Sequence, residues 1–396
     1  MRVLIDYRPA LRERSGSGEY THQLVKALLA SYGAAGPSRA LELTLFSSSR
    51  KDRLTPSPDL AGAAIVDRCV PVRLLNFAWH RLGWPPAETL AGGVYDVVHS
   101  PHPLLLPARA AAQVITIHDL HFLTHPERTR AEIRRDYPAL TRDHAHRAGA
   151  VLVPSAHTAG EVERLLGVPR DRIAICPPGA PDWTPRPAAP KDGYVLFFST
   201  LEPRKNVGGL LDAYERLIGT AEAVPHGRGG GVGHAFRGAV PELVLAGRAT
   251  AEAKPWLERI SRPPLCGLVR HLGYVDANDR RALYEGARLL VQPSFDEGFG
   301  MPVLEAMSLG VPVVAANRGS LPEVLGDAGL LVDPDQPADI ADAIGRMLNI
   351  DGLAAACAEK GIVRARAFRW DDTAHRVYDT YRKAIERRAQ ASRGAE

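Results

Sequence analysis

One pattern runs through this chain twice, and it narrows the possible folds more than any single residue does. β-rich runs near residues 3–6, 43–46, 96–99, 114–118, 151–154 and 173–176 alternate with helical patterns. The alternation then restarts near residues 194–199, 242–246, 269–275, 289–292, 313–316 and 330–332. Strands that alternate with helices build parallel sheets, because a parallel neighbour is reached only through a crossover. Between the two series lie Pro177, Pro178, Pro181, Pro185, Pro187 and Pro190. Such a stretch continues neither a helix nor a central strand, and so reads as a linker. The expectation is an α/β protein of two doubly wound, Rossmann-like domains, residues 1–185 and 186–370; at 396 residues the chain is long enough for two cores.

Composition removes other classes. With 45% hydrophobic and 24% charged residues the chain is an ordinary globular one, neither fibrous nor wholly disordered. A net charge of +4 is too small to indicate a nucleic-acid binder, though it suits anionic ligands or an anionic membrane surface. Cys69, Cys176, Cys266 and Cys357 lie 90 to 107 residues apart, with no C-x-x-C pair, which reads as reduced thiols in the cytoplasm. Met1 to Asp6 opens directly into a strand-like run rather than a signal peptide, and no apolar run reaches the length of a membrane span. The glycine-rich residues 220–240 read as a mobile surface insertion, and residues 371–396 as an amphipathic helix with a frayed tail.

The chemistry concentrates in two places. In the segment from Val291 to Val314 a strand ends near Pro293, a loop carries Glu297, Gly298 and Gly300, and a helix starts with Pro302 near its first position. A strand, a glycine loop and a helix N-terminus together offer backbone N–H groups to an anion, most naturally a phosphate. Glu297 in the loop and Glu305 in the first turn are placed to accept hydrogen bonds from hydroxyls at two parts of one polyol ligand. The second place is Ser199-Thr-Leu-Glu-Pro-Arg-Lys-Asn, after the first strand of the second half. There Arg204 and Lys205 face the carboxyl end of the sheet, where open α/β sheets bind ligands, as a fork and a point charge for a diphosphate.

Three other patterns carry less. Gly16-Ser-Gly-Glu-Tyr-Thr21 begins like a dinucleotide fingerprint but has Thr21 where the third glycine belongs, and it lies about ten residues past its strand. Asp119, His121 and His125 fit no closed tetrahedral metal set, and Asp333-Pro-Asp335 reads as a turn after a strand. Phe77, Trp79 and Trp84, near Arg73 and Arg81, read either as core or as an amphipathic face toward a membrane-held acceptor.

Together these features resemble glycosyltransferase family 4, retaining enzymes of the GT-B fold with two facing Rossmann-like domains. The resemblance rests on Glu297-Gly-Phe-Gly-Met-Pro-Val-Leu-Glu305-Ala-Met, an E-x7-E signature, and on Glu202-Pro-Arg-Lys-Asn, Leu245-Ala-Gly, Gly273-Tyr-Val-Asp and Phe368-Arg-Trp-Asp. Asp6-Tyr-Arg-Pro, Gly16-Ser-Gly-Glu-Tyr-Thr and Thr116-Ile-His-Asp-Leu look like acceptor-side elements of mannosyltransferase-like members. The resemblance implies that Glu305 binds the ribose hydroxyls, Glu297 a hydroxyl of the transferred sugar, and Arg204 and Lys205 the diphosphate. It puts the amides of Phe299, Gly300 and Met301 at sugar and phosphate, Gly247, Tyr274 and Val275 at the base and its ribose, and Gly16 and Gly18 near the donor phosphates. His118 would face the sugar, Asp119 would contact or orient the acceptor, and the C-terminal helix would cross back onto the first domain.

The activity so implied is transfer of a hexose, mannose from GDP-mannose, to a growing glycan or lipid-linked saccharide, without metal or other cofactor and without nucleic acid. It would take place in the cytoplasm, with peripheral association at the inner membrane face. Two alternatives carry other expectations. A nucleotide-sugar epimerase of the same fold needs no acceptor, and a silent nucleotide-sugar-binding scaffold binds donor without consuming it.

Overall fold

The computed structural model describes the chain except residues 12–13, 15, 127–130, 223–239 and 394–396, with backbone alone at 131–136 and 221–222. The chain divides into two units, Met1–Gly179 with Arg369–Glu396, and Ala180–Phe368. The division falls at Gly179, earlier than residue 185, because the linker already belongs to the second unit: the Ala180 N–H donates to the Phe368 carbonyl at 2.9 Å. Gly179 itself has no room for a side chain, since a Cβ there would lie 2.3 Å from the Trp370 nitrogen.

The first unit is built on seven strands, β1 Arg2–Asp6, β2 Glu42–Ser48, β3 Ala64–Arg68, β4 Val97–Ser100, β5 Ala112–Thr116, β6 Ala150–Val153 and β7 Ile173–Ile175. They form one sheet in the order β3-β2-β1-β4-β5-β6-β7, every pair parallel. β4 and β6 are buried along their whole length, as strands covered by helices on both faces must be.

The second unit carries β8 Tyr194–Phe198, β9 Leu243–Ala246, β10 Val269–Gly273, β11 Ala287–Gln292, β12 Val313–Ala316 and β13 Leu330–Val332. Their order is β10-β9-β8-β11-β12-β13, again all parallel. In both sheets the order reverses beside the first strand, at β1 and β4 and at β8 and β11. Loops leaving adjacent strands there diverge to opposite faces, which opens a crevice at the carboxyl ends. The residues expected to bind ligand in the second unit follow β8 and β11.

The last helix, Trp370–Arg393, belongs to the first unit. Ala374, Val377, Tyr381 and Ala384 form its apolar stripe and are fully buried in one core with Leu24 and Leu28 of the helix Ser17–Tyr32. Tyr378 lies beside the stripe and stacks on Tyr32, ring centroids 4.0 Å apart. The helix is regular to Arg393, and the tail beyond it is outside the described residues, as are residues 223–239 of the glycine-rich insertion.

Candidate functional site

The second unit's site begins with the way β8 ends. After Phe198 the chain makes a short 3-10 turn, Pro203–Lys205, and Asn206 takes a left-handed conformation with φ 57° before the helix Val207–Glu222. Asn tolerates that geometry because its short side chain bonds locally. Here its Oδ1 accepts from the Gly209 N–H at 3.2 Å and its Nδ2 donates to the Pro334 carbonyl at 2.7 Å. The turn aims Lys205 inward and leaves Arg204 at the rim.

Across the crevice, the loop after β11 presents Glu297. The Lys205 Nζ donates to its Oε1 at 2.5 Å, and Gln292 Nε2 and Ser294 Oγ donate to the same oxygen at 3.0 Å each. Arg204 Nη1 lies 4.0 Å from Oε2, while its Nε donates to Glu202 Oε1 at 2.6 Å. Burial alone would raise the Glu297 pKa; the charges of Lys205 and Arg204, with the hydrogen bonds from Lys205 and Ser294, more than offset it and hold the carboxyl below its ordinary range. The loop backbone is fixed too, since Ser320 donates to the Glu297 carbonyl from both its N–H (3.0 Å) and its Oγ (2.9 Å).

Glu305 sits deeper than the first turn. It is the fifth residue of the helix Met301–Ser308, whose first turn carries no acid. Its Oε1 accepts from Arg280 Nη1 at 2.9 Å and its Oε2 from Tyr284 Oη at 2.8 Å. Burial, with the neighbouring Glu305 charge, lifts the Tyr284 phenol well above its usual pKa, so it remains a neutral donor. Arg280 and Tyr284 stand four apart on the helix Ala277–Glu285, and the Arg280 guanidinium also lies 5.8 Å from the Phe198 ring centre. Sequence reasoning missed Arg280, Tyr284, Gln292, Ser294 and Ser320; the i, i+4 spacing of an Arg and a Tyr in the helix before β11 was the one available signal.

The remaining positions in this unit are backbone features. Gly300 caps the Met301 helix with φ 98°, and the Phe299 ring is buried edge-on to Phe368. Phe299, Gly300 and Met301 therefore have main-chain amides at a helix start, where the first N–H groups lack intrahelical partners. Gly247 follows β9 with φ 136°, and a Cβ there would stand 1.9 Å from the Ser199 carbonyl oxygen, so the chain after β8 and the end of β9 touch backbone to backbone. Tyr274 and Val275 follow β10 and are half-buried.

The first unit holds the other four positions. β5 ends at Thr116, two residues short of His118. His118 is half-buried and edge-on to Tyr20, ring centroids 5.1 Å apart; its Nε2 is buried without a hydrogen-bond partner, and desolvation depresses its pKa to about 4. Asp119 accepts from the His121 N–H at 3.3 Å. Gly16 caps the Ser17–Tyr32 helix with φ 52°, and Gly18 in its first turn meets the Pro9 carbonyl, which a Cβ would approach to 2.5 Å. Asp333 and Asp335 form the expected turn, with Arg318 Nη2 donating to both. Among the described residues no group of three or more His, Cys, Asp or Glu is arranged to hold a metal ion.

The sequence and the fold both have counterparts among known proteins. Residues 14–182 match the family model described as Glycosyltransferase Family 4, and residues 192–349 that described as Glycosyl transferases group 1. The chain is 32% identical to the O-antigen chain mannosyltransferase B of Escherichia coli, over 96% of this chain and 100% of that protein. It is 30% identical to a D-inositol 3-phosphate glycosyltransferase of Acidothermus cellulolyticus, over 97% of this chain and 89% of that one. Among solved structures it is similar in fold to a sucrose-phosphate synthase from Thermosynechococcus elongatus, with TM-score 0.73, 19% identity and 98% and 99% of the two chains covered.

Proposed function

Because this chain belongs to glycosyltransferase family 4, we propose that it transfers mannose, with retention, from GDP-mannose to a glycan or lipid-linked saccharide. The observation that carries the reading is the Lys205–Glu297 pair with Arg204 beside it, at the point where the strand order of the second sheet reverses. In this reading Glu297 stays ionised to accept a hydrogen bond from a sugar hydroxyl, and Arg204 and Lys205 meet the diphosphate. The amides of Phe299, Gly300 and Met301 bind sugar and phosphate, Glu305 accepts from the ribose hydroxyls, and Gly247, Tyr274 and Val275 pack the base. Gly16 and Gly18 serve the donor phosphates, His118 the transferred sugar and Asp119 the acceptor. The choice of mannose rests on the mannosyltransferase relative.

The bond between the sugar C1 and the diphosphate oxygen breaks, a bond from an acceptor oxygen forms on the same face, and the acceptor's proton goes to the departing phosphate. Arg204, Lys205 and the N-terminus of the Met301 helix stabilise the negative charge that develops on the leaving group. No step in this scheme is routed through a metal ion.

Thermal stabilisation by GDP, UDP, ADP and their mannose and glucose conjugates tests the donor. A ligand at a hundred times its Kd adds about 2.7 kcal/mol, or about 5–10 °C for a domain of this size. Selective stabilisation by GDP and GDP-mannose is the expected result. Preference for UDP or ADP would discard GDP-mannose, and stabilisation without donor consumption in the presence of saccharide acceptors would favour a silent scaffold.

A further inference from the structure

The segment after β3 has an inner face like that of an ordinary surface helix and an outer face unlike one. It runs as a helix over Val72–Phe77, continues in a wider turn over Ala78–Leu82, and ends at Gly83 with φ 61°. Its inner face is fastened down. Leu75 and Trp79 are buried, Trp79 Nε1 donates to the Pro85 carbonyl at 2.9 Å, and the Arg8 guanidinium lies 4.8 Å over the Trp79 ring while its Nη1 donates to Asn76 Oδ1 at 2.9 Å. Its outer face carries Leu74, Phe77 and Leu82, with Trp84 just beyond; all four are 60 to 67% exposed. Where the outer face of a surface helix is normally polar, this one is aromatic and aliphatic.

The charges along the segment itself have one sign. From Arg68 to Ala87 the chain has three arginines and no Asp or Glu, and Arg73 and Arg81 are exposed on the same segment as the apolar residues. Phe, Leu and Trp flanked by arginine is the composition of a helix that lies in the plane of a bilayer interface: the apolar residues enter the headgroup–acyl boundary and the guanidinium groups stay at the phosphates. An anionic leaflet suits both parts of that composition, attracting each cation near its surface while its acyl region takes the apolar side chains. The position is also suggestive of purpose. The segment leaves the carboxyl end of β3 and is bonded to Arg8, two residues past the end of β1, so it stands at the end of the first sheet where the loops carrying His118 and Asp119 emerge.

We propose that this face docks on an anionic lipid bilayer, with Leu74, Phe77, Leu82 and Trp84 inserted and Arg73 and Arg81 on lipid phosphates. The docking does not depend on the transfer chemistry; delivery of a lipid-linked acceptor to the first unit is its use under the reading above.

Flotation of the full chain with vesicles of phosphatidylcholine, and of phosphatidylcholine with about 30 mol% phosphatidylglycerol, tests this without nucleotide or acceptor. The chain is expected to float with the anionic vesicles only, less so as salt rises, and its tryptophan emission to shift to the blue, a shift absent in Trp84→Phe. Arg73→Gln with Arg81→Gln is expected to weaken binding about 25-fold, about fivefold for each arginine, and Leu74→Gln with Phe77→Gln to abolish it. Unchanged melting temperatures establish that the variants fold. Failure of the unmodified chain to bind anionic vesicles, or equal binding by the Leu74/Phe77 variant, overturns the proposal. So does a concentration-dependent dimer that the Leu74/Phe77 variant dissolves, which would make the face a contact between two copies. Vesicle binding without any nucleotide response would leave the docking intact and remove the transfer reading.

Discussion

The ammonium of Lys205 stands 2.5 Å from Glu297 Oε1, with both side chains almost fully buried, one from the turn after β8 and the other from the loop after β11. The pair closes the crevice at the base of the proposed donor site and makes the two loops depend on each other. A buried ion pair adds little over a well-packed apolar pair, but removing one partner leaves an uncompensated charge.

Lys205→Ala is therefore expected to cost about 3 kcal/mol of stability, somewhat relieved by Arg204 at 4.0 Å, and to reduce turnover at least about 100-fold. Lys205→Met with Glu297→Gln is expected to recover most of the stability and none of the turnover. Urea unfolding and initial rates on the three proteins check this; recovery of turnover in the double variant would remove both residues from the reaction.

Arg280 and Tyr284 hold both oxygens of Glu305, so under the proposed function they would act on the nucleotide through that carboxylate. Arg280→Leu is expected to raise the KM for donor about tenfold with kcat little changed, and Tyr284→Phe to have a smaller effect in the same direction, as one lost hydrogen bond to a charged group warrants. A fall in kcat with constant KM in either variant would show that Glu305 works on the reacting centre instead.

Two histidines, His99 fully buried and His118 half-buried, set the response to acid. His99, whose Nδ1 bonds Tyr381 Oη at 2.7 Å and whose Nε2 bonds Thr116 Oγ1 at 2.8 Å, is depressed by burial to about 3, and His118 to about 4. With an unfolded value near 6.5, the unfolded chain takes up these protons first as pH falls, so the stability is present above about 6.5 and drains away toward 4. Between pH 7.5 and 5.5 the two together are expected to cost about 3 kcal/mol, with His80 and His144, at about 3 and about 4, acting in the same sense. Urea midpoints across that range measure the loss, and His118→Gln is expected to make it shallower; a flat profile would mean that these rings are protonated in the folded protein.

With Arg204, Lys205 and a helix N-terminus assigned to the leaving group, activity is expected to survive EDTA. Asp333→Asn with Asp335→Asn is expected to leave rates within about twofold, because those carboxylates only hold an exposed turn to Arg318. Loss of activity on chelation, restored by Mg²⁺ or Mn²⁺, would contradict the scheme.

What was legible in the sequence was what is local. The strand, glycine loop and helix carrying Glu297 and Glu305 lie within about twenty residues, so their order could be read along the chain, and β12 and β13 appear at the residues expected. β3 was not anticipated: it is an edge strand with no fully buried residue, and Asp67 and Arg68 interrupt its apolar run. The i, i+4 spacing of Arg280 and Tyr284 shows only that they share a helix face; their partner Glu305 lies 25 and 21 residues away, across a strand, where no local pattern reaches. Phe77, Trp79 and Trp84 allowed two readings, and the structure divides them: Trp79 is core, while Phe77 and Trp84 face out. Only tertiary packing decides which side of a short helix is inner.

The stripe of Ala374, Val377, Tyr381 and Ala384 carries a consequence for biosynthesis. The sheet that begins with the first residues cannot cover its hydrophobic core until the last helix has been made, about 200 residues after β7. At ordinary translation rates that interval is about 10 to 40 s. The second unit, continuous from Ala180 to Phe368, is complete within it. Synthesis from the N-terminus thus finishes the second unit before the first, and through that interval Leu24 and Leu28 await a partner that is still on the ribosome.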